Sequence, residues 1–202
     1  MSTQPQRRYT LEEYFALEHA SEAKYEYWQG EVYAMSGASP AHVQIQINLI
    51  TLLRSQLRGR LCRIFSSDMR LKVPSLPPYR YPDLSALCGE PIFELIGGLE
   101  VLTNPTLIVE ILSPTTEAFD RGDKFTHYKS IPSFIEYVLI AQHRPYIGQY
   151  VKQSPEVWSY RECNDLLTSL YIPSLECQLV LEDLYQDVTF EPFTNLGQWY
   201  SR

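Results

Sequence analysis

Residues 107–112, Leu-Ile-Val-Glu-Ile-Leu, constrain this chain more than any other stretch. Six residues apolar on both alternating faces read as a strand buried on both sides, and the only charge in it is Glu110. A lone ionised carboxylate in such a run costs several kcal/mol unless a cation or a hydrogen-bonding partner meets it. A second acid, Asp83, opens another strand-like run, in which alternation puts Asp83, Ser85 and Leu87 on one face and Leu84, Ala86 and Cys88 on the other. After Ser113-Pro114 the chain must leave the sheet. Asp120 as the N-cap predicts a helix over 121–130, with Lys124 and Tyr128 four apart on one side. Two acids on neighbouring strands and a lysine from a helix are what a divalent-metal hydrolytic site requires. The plainer alternatives stay open: Glu110 at an exposed strand end or paired with an arginine, Lys124 as a surface lysine paired with Asp120, and Asp120 as a cap only.

Around this stretch the punctuation is clear. Thr10-Leu11-Glu12-Glu13 is a capping box that predicts a short helix over 11–18. Residues 25–35 read as a hairpin about Gln29-Gly30. Ser39-Pro40 is a helix entry, and the apolar spacing of Ile45, Leu49, Leu52, Leu53 and Leu57 predicts the longest helix over 41–58, stopped by Gly59. His42 lies in its first turn, as a polar cap neighbour or as a residue on the substrate side. Residues 62–65 and 69–73 read as a strand pair or one bent strand, with Asp68 between them as a turn residue, a partner of Arg70 or a reserve ligand. Loops follow at Pro74, Pro77 and Pro78 and over 89–105, the latter with a helical turn at 93–96; both lead into the strands bearing the acids and would rim a site. Strands are expected over 134–140, 146–152, 157–163 and 170–181, with Tyr146, Tyr150, Trp158 and Tyr160 as an aromatic surface for self-association or substrate stacking.

A chain of 202 residues with 45% hydrophobic content is most economically one domain, 1–202, with its core over about 9–188. No apolar run reaches the length of about 20 residues that a membrane helix needs, and no apolar segment follows the polar N-terminus. A cytoplasmic protein is therefore expected. Cys62, Cys88, Cys163 and Cys177 lack metal-ligand spacing and read as reduced, buried small hydrophobes. The net charge of −7 argues against indiscriminate binding to nucleic acid but does not exclude a nuclease, because a bound cation inverts the local field. Arg54, Arg58, Arg60, Arg63, Arg70, Lys72 and Arg80 form a locally basic third, either a footprint for phosphate or ordinary solvated charge.

Pro82-Asp83, Val109-Glu110-Ile111-Leu112-Ser113-Pro114 and Asp120-Arg121-Gly122-Asp123-Lys124 with Tyr128, together with residues 25–37 and Ser39-Pro40-Ala41-His42, resemble the Uma2 family of endonucleases. That family belongs to the PD-(D/E)XK, or restriction endonuclease-like, superfamily. The resemblance spans roughly residues 9–188. It implies an α/β (α+β) fold, a mixed central sheet flanked by helices with an additional antiparallel β region. It implies a catalytic set of Asp83, Glu110 and Lys124. Mg²⁺, with Mn²⁺ as a substitute, would lie on Asp83, Glu110, the Ile111 carbonyl and Glu31, with His42, Asp120 and Tyr128 around them. For Glu31 the alternative is a hairpin carboxylate in solvent. One departure stands out: Leu112 occupies the position where the superfamily has lysine, and the resemblance to members sharing this feature implies that Lys124 supplies the cation.

The expected activity is Mg²⁺-dependent hydrolysis of DNA by a homodimer. A catalytically inactive nucleic-acid- or partner-binding module and a metal-dependent hydrolase of a small phosphorylated substrate are the alternatives.

Overall fold

The computed structural model describes residues 7–21, 23–35, 37–76 and 78–190. Ser36 of the resembling N-terminal stretch, Pro77 of the proline loop and the first six residues of the N-terminus lie outside the described residues. The chain opens with α1 (Leu11–Ala20), whose Thr10 and Glu13 form the reciprocal capping box. The hairpin β1 (Tyr25–Trp28) and β2 (Glu31–Ala34) follows, then α2 (Pro40–Gln56), capped by the Ser39 hydroxyl on the His42 N–H. Next come β3 (Cys62–Ser66), β4 (Arg70–Leu71), β5 (Leu84–Cys88), β6 (Phe93–Ile96), β7 (Leu99–Leu102) and β8 (Leu107–Leu112). A continuous helical segment is made of α3 (Glu117–Phe119), a π turn (Asp120–Lys124) and α4 (Phe125–Tyr128). The chain ends in β9 (Glu136–Ala141), β10 (Ile147–Lys152), β11 (Trp158–Cys163), β12 (Ser169–Ile172), β13 (Cys177–Val180) and α5 (Leu181–Leu184).

Six strands build the main sheet in the order β11-β10-β9-β8-β5-β3, and within it only β8 and β9 run parallel. The helical segment is the crossover between those two, as a parallel pair requires. Both central strands are buried at every position, which is why they read as unbroken apolar runs. One face packs on α2 through Ile45, Leu49 and Leu53, spaced four apart, against Leu84, Val109, Ile111 and Val138, with the β12–β13 hairpin and α5 on the same side. The other face packs Leu87, Ile108, Leu112 and Leu139 against Tyr128, Ile131 and Phe134. Glu110 points to this second face, beneath the crossover. Alternation fixes the division, because a one-residue slip would exchange the two cores. The result is the mixed α+β fold with added antiparallel sheets.

Four local expectations are corrected. Residues 93–96 form a strand and not a helical turn: Gly97 and Gly98, both at positive φ, make a two-residue hairpin joining β6 to β7. A side chain at Gly97 would also strike the Phe15 ring. β3 and β4 do not pair; β3 edges the main sheet and β4 joins β7 in a second one. Asp120 does not cap a helix beginning at 121. It is buried inside the helical segment with αR backbone, and the entry turn is made upstream, where the Ser113 hydroxyl accepts from the Thr116 N–H. Cys62 and Cys88 are not reduced: they are directly opposite on antiparallel β3 and β5, 3.9 Å apart at Cα, and form a disulfide. Their separation of 26 in sequence hid the register that joins them. Cys163 and Cys177 are free.

Among the described residues no helix is long and apolar enough to cross a membrane.

Candidate active site

Asp83 stands just before β5, at the point where its pairing with β8 ends at Leu84–Val109. Its carboxylate replaces the missing strand: Oδ2 accepts the Ile111 N–H at 2.6 Å. Because the N–H and C=O of one strand residue leave on the same side, the Ile111 carbonyl faces the same gap. His42 meets the other oxygen, Nε2 to Oδ1 at 3.1 Å, and Gln46, one turn further along α2, donates to the Asp83 carbonyl at 2.7 Å. The N-terminal half of the longest helix thus holds one end of the site in place.

Glu110 is 2% exposed. Its Oε1 receives the Tyr128 hydroxyl at 2.7 Å and the Lys124 ammonium at 2.9 Å. Lys124 also lies 3.3 Å from Asp120 Oδ1. The π turn widens the helix at this point, with Asp120 buried and Lys124 reaching Glu110 on β8, and the Tyr137 hydroxyl donates to the Asp120 carbonyl at 3.0 Å. Such wide turns inside helices are frequent at functional sites. Burial opposes the charge on Lys124, but Glu110 and Asp120 outweigh it and hold the ammonium well above its usual pKa. Burial, reinforced by Asp83 and Asp120, pushes the Glu110 carboxyl well above the usual carboxylate range, with Lys124 opposing. Glu26, Asp83, Glu110 and Asp120 set against Lys24 and Lys124 leave room for more positive charge.

These groups line a cavity of about 800 Å³, together with Lys24, Glu26, Ser113 and Gln142. Among the described residues no cluster of three or more His, Cys, Asp or Glu side chains is arranged to hold a metal. Two carboxylates and a main-chain carbonyl fit a cation such as Mg²⁺, which is usually held by one or two carboxylates, with waters and substrate phosphate completing its shell.

The cavity therefore gathers Asp83, Glu110, Ile111, Lys124, His42 and Asp120, with Tyr128 directly behind Glu110. It does not include Glu31, which lines a neighbouring cavity and receives the Tyr33 hydroxyl. The hairpin acid that does line it is Glu26, paired with Tyr33 across the hairpin. Alternation from Glu26 carried that signal. Gln46 was equally legible, four residues after His42 on one helix face. Lys24 gave none, since Asp68, its salt-bridge partner at 2.5 Å, is remote in sequence. Of the basic third, Arg60, Arg70 and Lys72 pair with Glu176, Glu18 and Glu94, and Arg80 is buried. Arg70 therefore does not pair with Asp68. Of the aromatic surface, Tyr146, Tyr150 and Trp158 pack into the core beside Phe125, leaving Tyr160 exposed.

The mixed central sheet, with Glu110 on β8 and Asp83 just ahead of β5, is a frame that another solved chain shares. The solved structure from Anabaena variabilis described as "a putative nuclease belonging to DUF820" superposes with a TM-score of 0.64 at 20% identity, covering 82% of this chain and 92% of that one. The model of the Uma2 family, "Putative restriction endonuclease", matches residues 11–183, and the chain belongs to that family. Two proteins of Synechocystis sp., both described only as uncharacterized, are similar as well. One, slr1290, is 36% identical over 147 residues, 73% of this chain and 76% of its own length. The other, sll1609, is 37% identical over 153 residues, 76% and 86%.

Proposed function

We propose that the protein is an endonuclease that hydrolyses DNA phosphodiester bonds with Mg²⁺, Mn²⁺ serving in its place. The observation that carries this reading is the meeting of Asp83, Glu110 and the Lys124 ammonium in one cavity. Asp83, Glu110 and the Ile111 carbonyl would hold the cation; Glu26, not Glu31, lines the same cavity. When bound, the cation lowers the pKa of a water and neutralises charge on the scissile phosphate. The chain's own groups do the rest. His42 and the Ile111 N–H fix both Asp83 oxygens, and Tyr128 fixes Glu110. Lys124, held cationic by the acids beside it, donates to the phosphate oxygen on which negative charge grows, and Asp120 keeps the ammonium aimed. The acidic balance of the chain is no obstacle where the cavity itself concentrates cations.

A binding module without turnover is the second reading, favoured by Leu112, which is fully buried in the apolar core where the superfamily places lysine. Thermal melts read together with plasmid cleavage separate the two. By mass action Mn²⁺ or Mg²⁺ should raise the melting temperature of the wild type. The Asp83→Asn, Glu110→Gln double variant should lose that response and fail to nick supercoiled plasmid. Equal Mn²⁺ responses in the two proteins would remove this metal site. A wild-type response without cleavage would leave the binding module.

A further inference from the structure

Lys24 lines the acidic cavity and has no part in the mechanism above. The hairpin puts it there. One face of β1 and β2, with Tyr25, Tyr27 and Val32, packs on Tyr14, Tyr79 and Tyr81. Alternation turns the opposite face, with Lys24, Glu26, Tyr33 and Met35, to the cavity. The Met35 N–H donates to the Lys24 carbonyl at 2.9 Å, which carries the pairing past its last rung at Tyr25–Ala34. The Lys24 ammonium donates to the Ser67 carbonyl at 3.0 Å and meets Asp68 Oδ1 at 2.5 Å. It lies 5.9 Å from the centre of the ring of Tyr81, two residues ahead of Asp83.

Among the described residues the cations on the cavity wall are Lys24 and Lys124, with His42 engaged by Asp83. The two lysines are held differently. The side chains of Lys124, Glu110 and Asp120 are 11%, 3% and 5% exposed, and parting such a buried pair is costly. Those of Lys24 and Asp68 are 31% and 77% exposed, a solvated pair of the kind that contributes little and that another anion can replace. Lys124 faces Glu110 and Asp120 with two of the three N–H bonds of an ammonium and keeps one for the scissile phosphate. In a nucleic-acid strand the next phosphate would then come against a wall carrying Glu26, Asp83, Glu110 and Asp120. The cation on that wall still able to change partner is Lys24. A substrate with a single phosphate has no use for it.

We propose that Lys24 leaves Asp68 for the phosphate next to the scissile one, which makes the substrate a continuous nucleic-acid strand and not a small molecule with one phosphate. The inference rests on the nuclease reading for the phosphate beside Asp83 and Glu110. Asp68 is the anion that holds the ammonium in place until the strand arrives.

The test is the fluorescence anisotropy of a short labelled single strand of DNA on the full chain, in EDTA so that nothing is cut. Lys24→Gln should weaken the strand about tenfold, as losing one charged hydrogen bond does, and lower the slope of log Kd against log salt by about one. Lys24→Arg should bind within about twofold of wild type. Asp68→Asn frees the ammonium and should tighten the strand about threefold; on the Lys24→Gln background it should do nothing. A pair that merely fastened the hairpin would move both single variants the same way. Equal affinity in wild type and Lys24→Gln overturns the contact, as do a loss in Lys24→Arg equal to that in Lys24→Gln, weaker binding in Asp68→Asn, an Asp68→Asn gain that persists without Lys24, or a wild type that does not bind the strand. With Mg²⁺, the preference in kcat/KM for this strand over bis(p-nitrophenyl) phosphate, a diester of one phosphate, should fall about tenfold in Lys24→Gln, with the loss in KM. An unchanged preference overturns the choice of substrate. Cleavage that ignores both residues removes this contact and keeps the nuclease, whereas strand binding that responds to both, in a protein that cuts nothing, keeps the contact and removes the nuclease.

Discussion

Lys124 stands among carboxylates, and that setting decides both its charge and the effect of removing it. The residue is not the surface lysine that its place on a short helix suggested; its side chain is 11% exposed. Lys124→Met keeps the stem and deletes the cation, leaving Glu110 and Asp120 buried without their partner. Breaking a buried pair in this way costs on the order of 3–5 kcal/mol. The expected outcome is a loss of roughly 3 kcal/mol in urea unfolding, largely restored by Mn²⁺, and a fall in metal-dependent cleavage of about a hundredfold. A variant as stable and as active as wild type would remove Lys124 from the mechanism. Glu136 provides the control within the same sheet. It too is a lone acid in an apolar strand, but Gln149 and the Ser174 N–H bind its two oxygens. Burial raises its pKa and these donors oppose the rise. One sequence pattern thus serves a structural anchor at Glu136 and a candidate reactive group at Glu110.

At the scale of elements, local chemistry was legible and lateral chemistry was not. The capping box at Thr10, the Ser39-Pro40 entry to α2 and the apolar runs of β8 and β9 each depend on neighbours within a few residues, and each reads directly from sequence. The acids on adjacent strands were legible for the same reason. What escaped depends on register: the Glu26 face of the hairpin, the π turn that buries Asp120, and the Cys62–Cys88 bond. That disulfide ties edge strand β3 to β5, the strand that Asp83 precedes. Closing a loop of 26 residues stabilises a fold by about 3 kcal/mol. Cys62→Ala, Cys88→Ala should therefore lower unfolding stability by roughly that amount, and adding dithiothreitol should lower the wild type alone. If reductant lowers both proteins equally, the bond is not what holds the edge.

Among the described residues the main sheet has two edge strands, β11 and β3, and under the nuclease reading one cavity with Asp83 and Glu110 would meet one strand of a duplex at a time. We expect a homodimer, since a symmetric pair places two sites on one duplex and closed twofold pairing is the commonest assembly. Among the described residues β11 has one strand partner, β10, and its outer edge is open. Tyr160 on β11 and Val157 in the turn just before it are exposed, at 46% and 55%. An open edge carrying apolar side chains is a template for pairing with a second copy. The opposite edge, β3, is instead fastened to the sheet by the disulfide and carries Arg63 outward, which favours β11 as the seam. Light scattering at tens of micromolar should give twice the chain mass, and Val157→Lys, Tyr160→Lys should halve it, because like charges would meet across the twofold axis. Duplex cleavage should then fall to nicking, with single-strand turnover retained. A wild type that is monomeric at that concentration ends the dimer model, and a dimer untouched by the double lysine variant moves the seam away from β11.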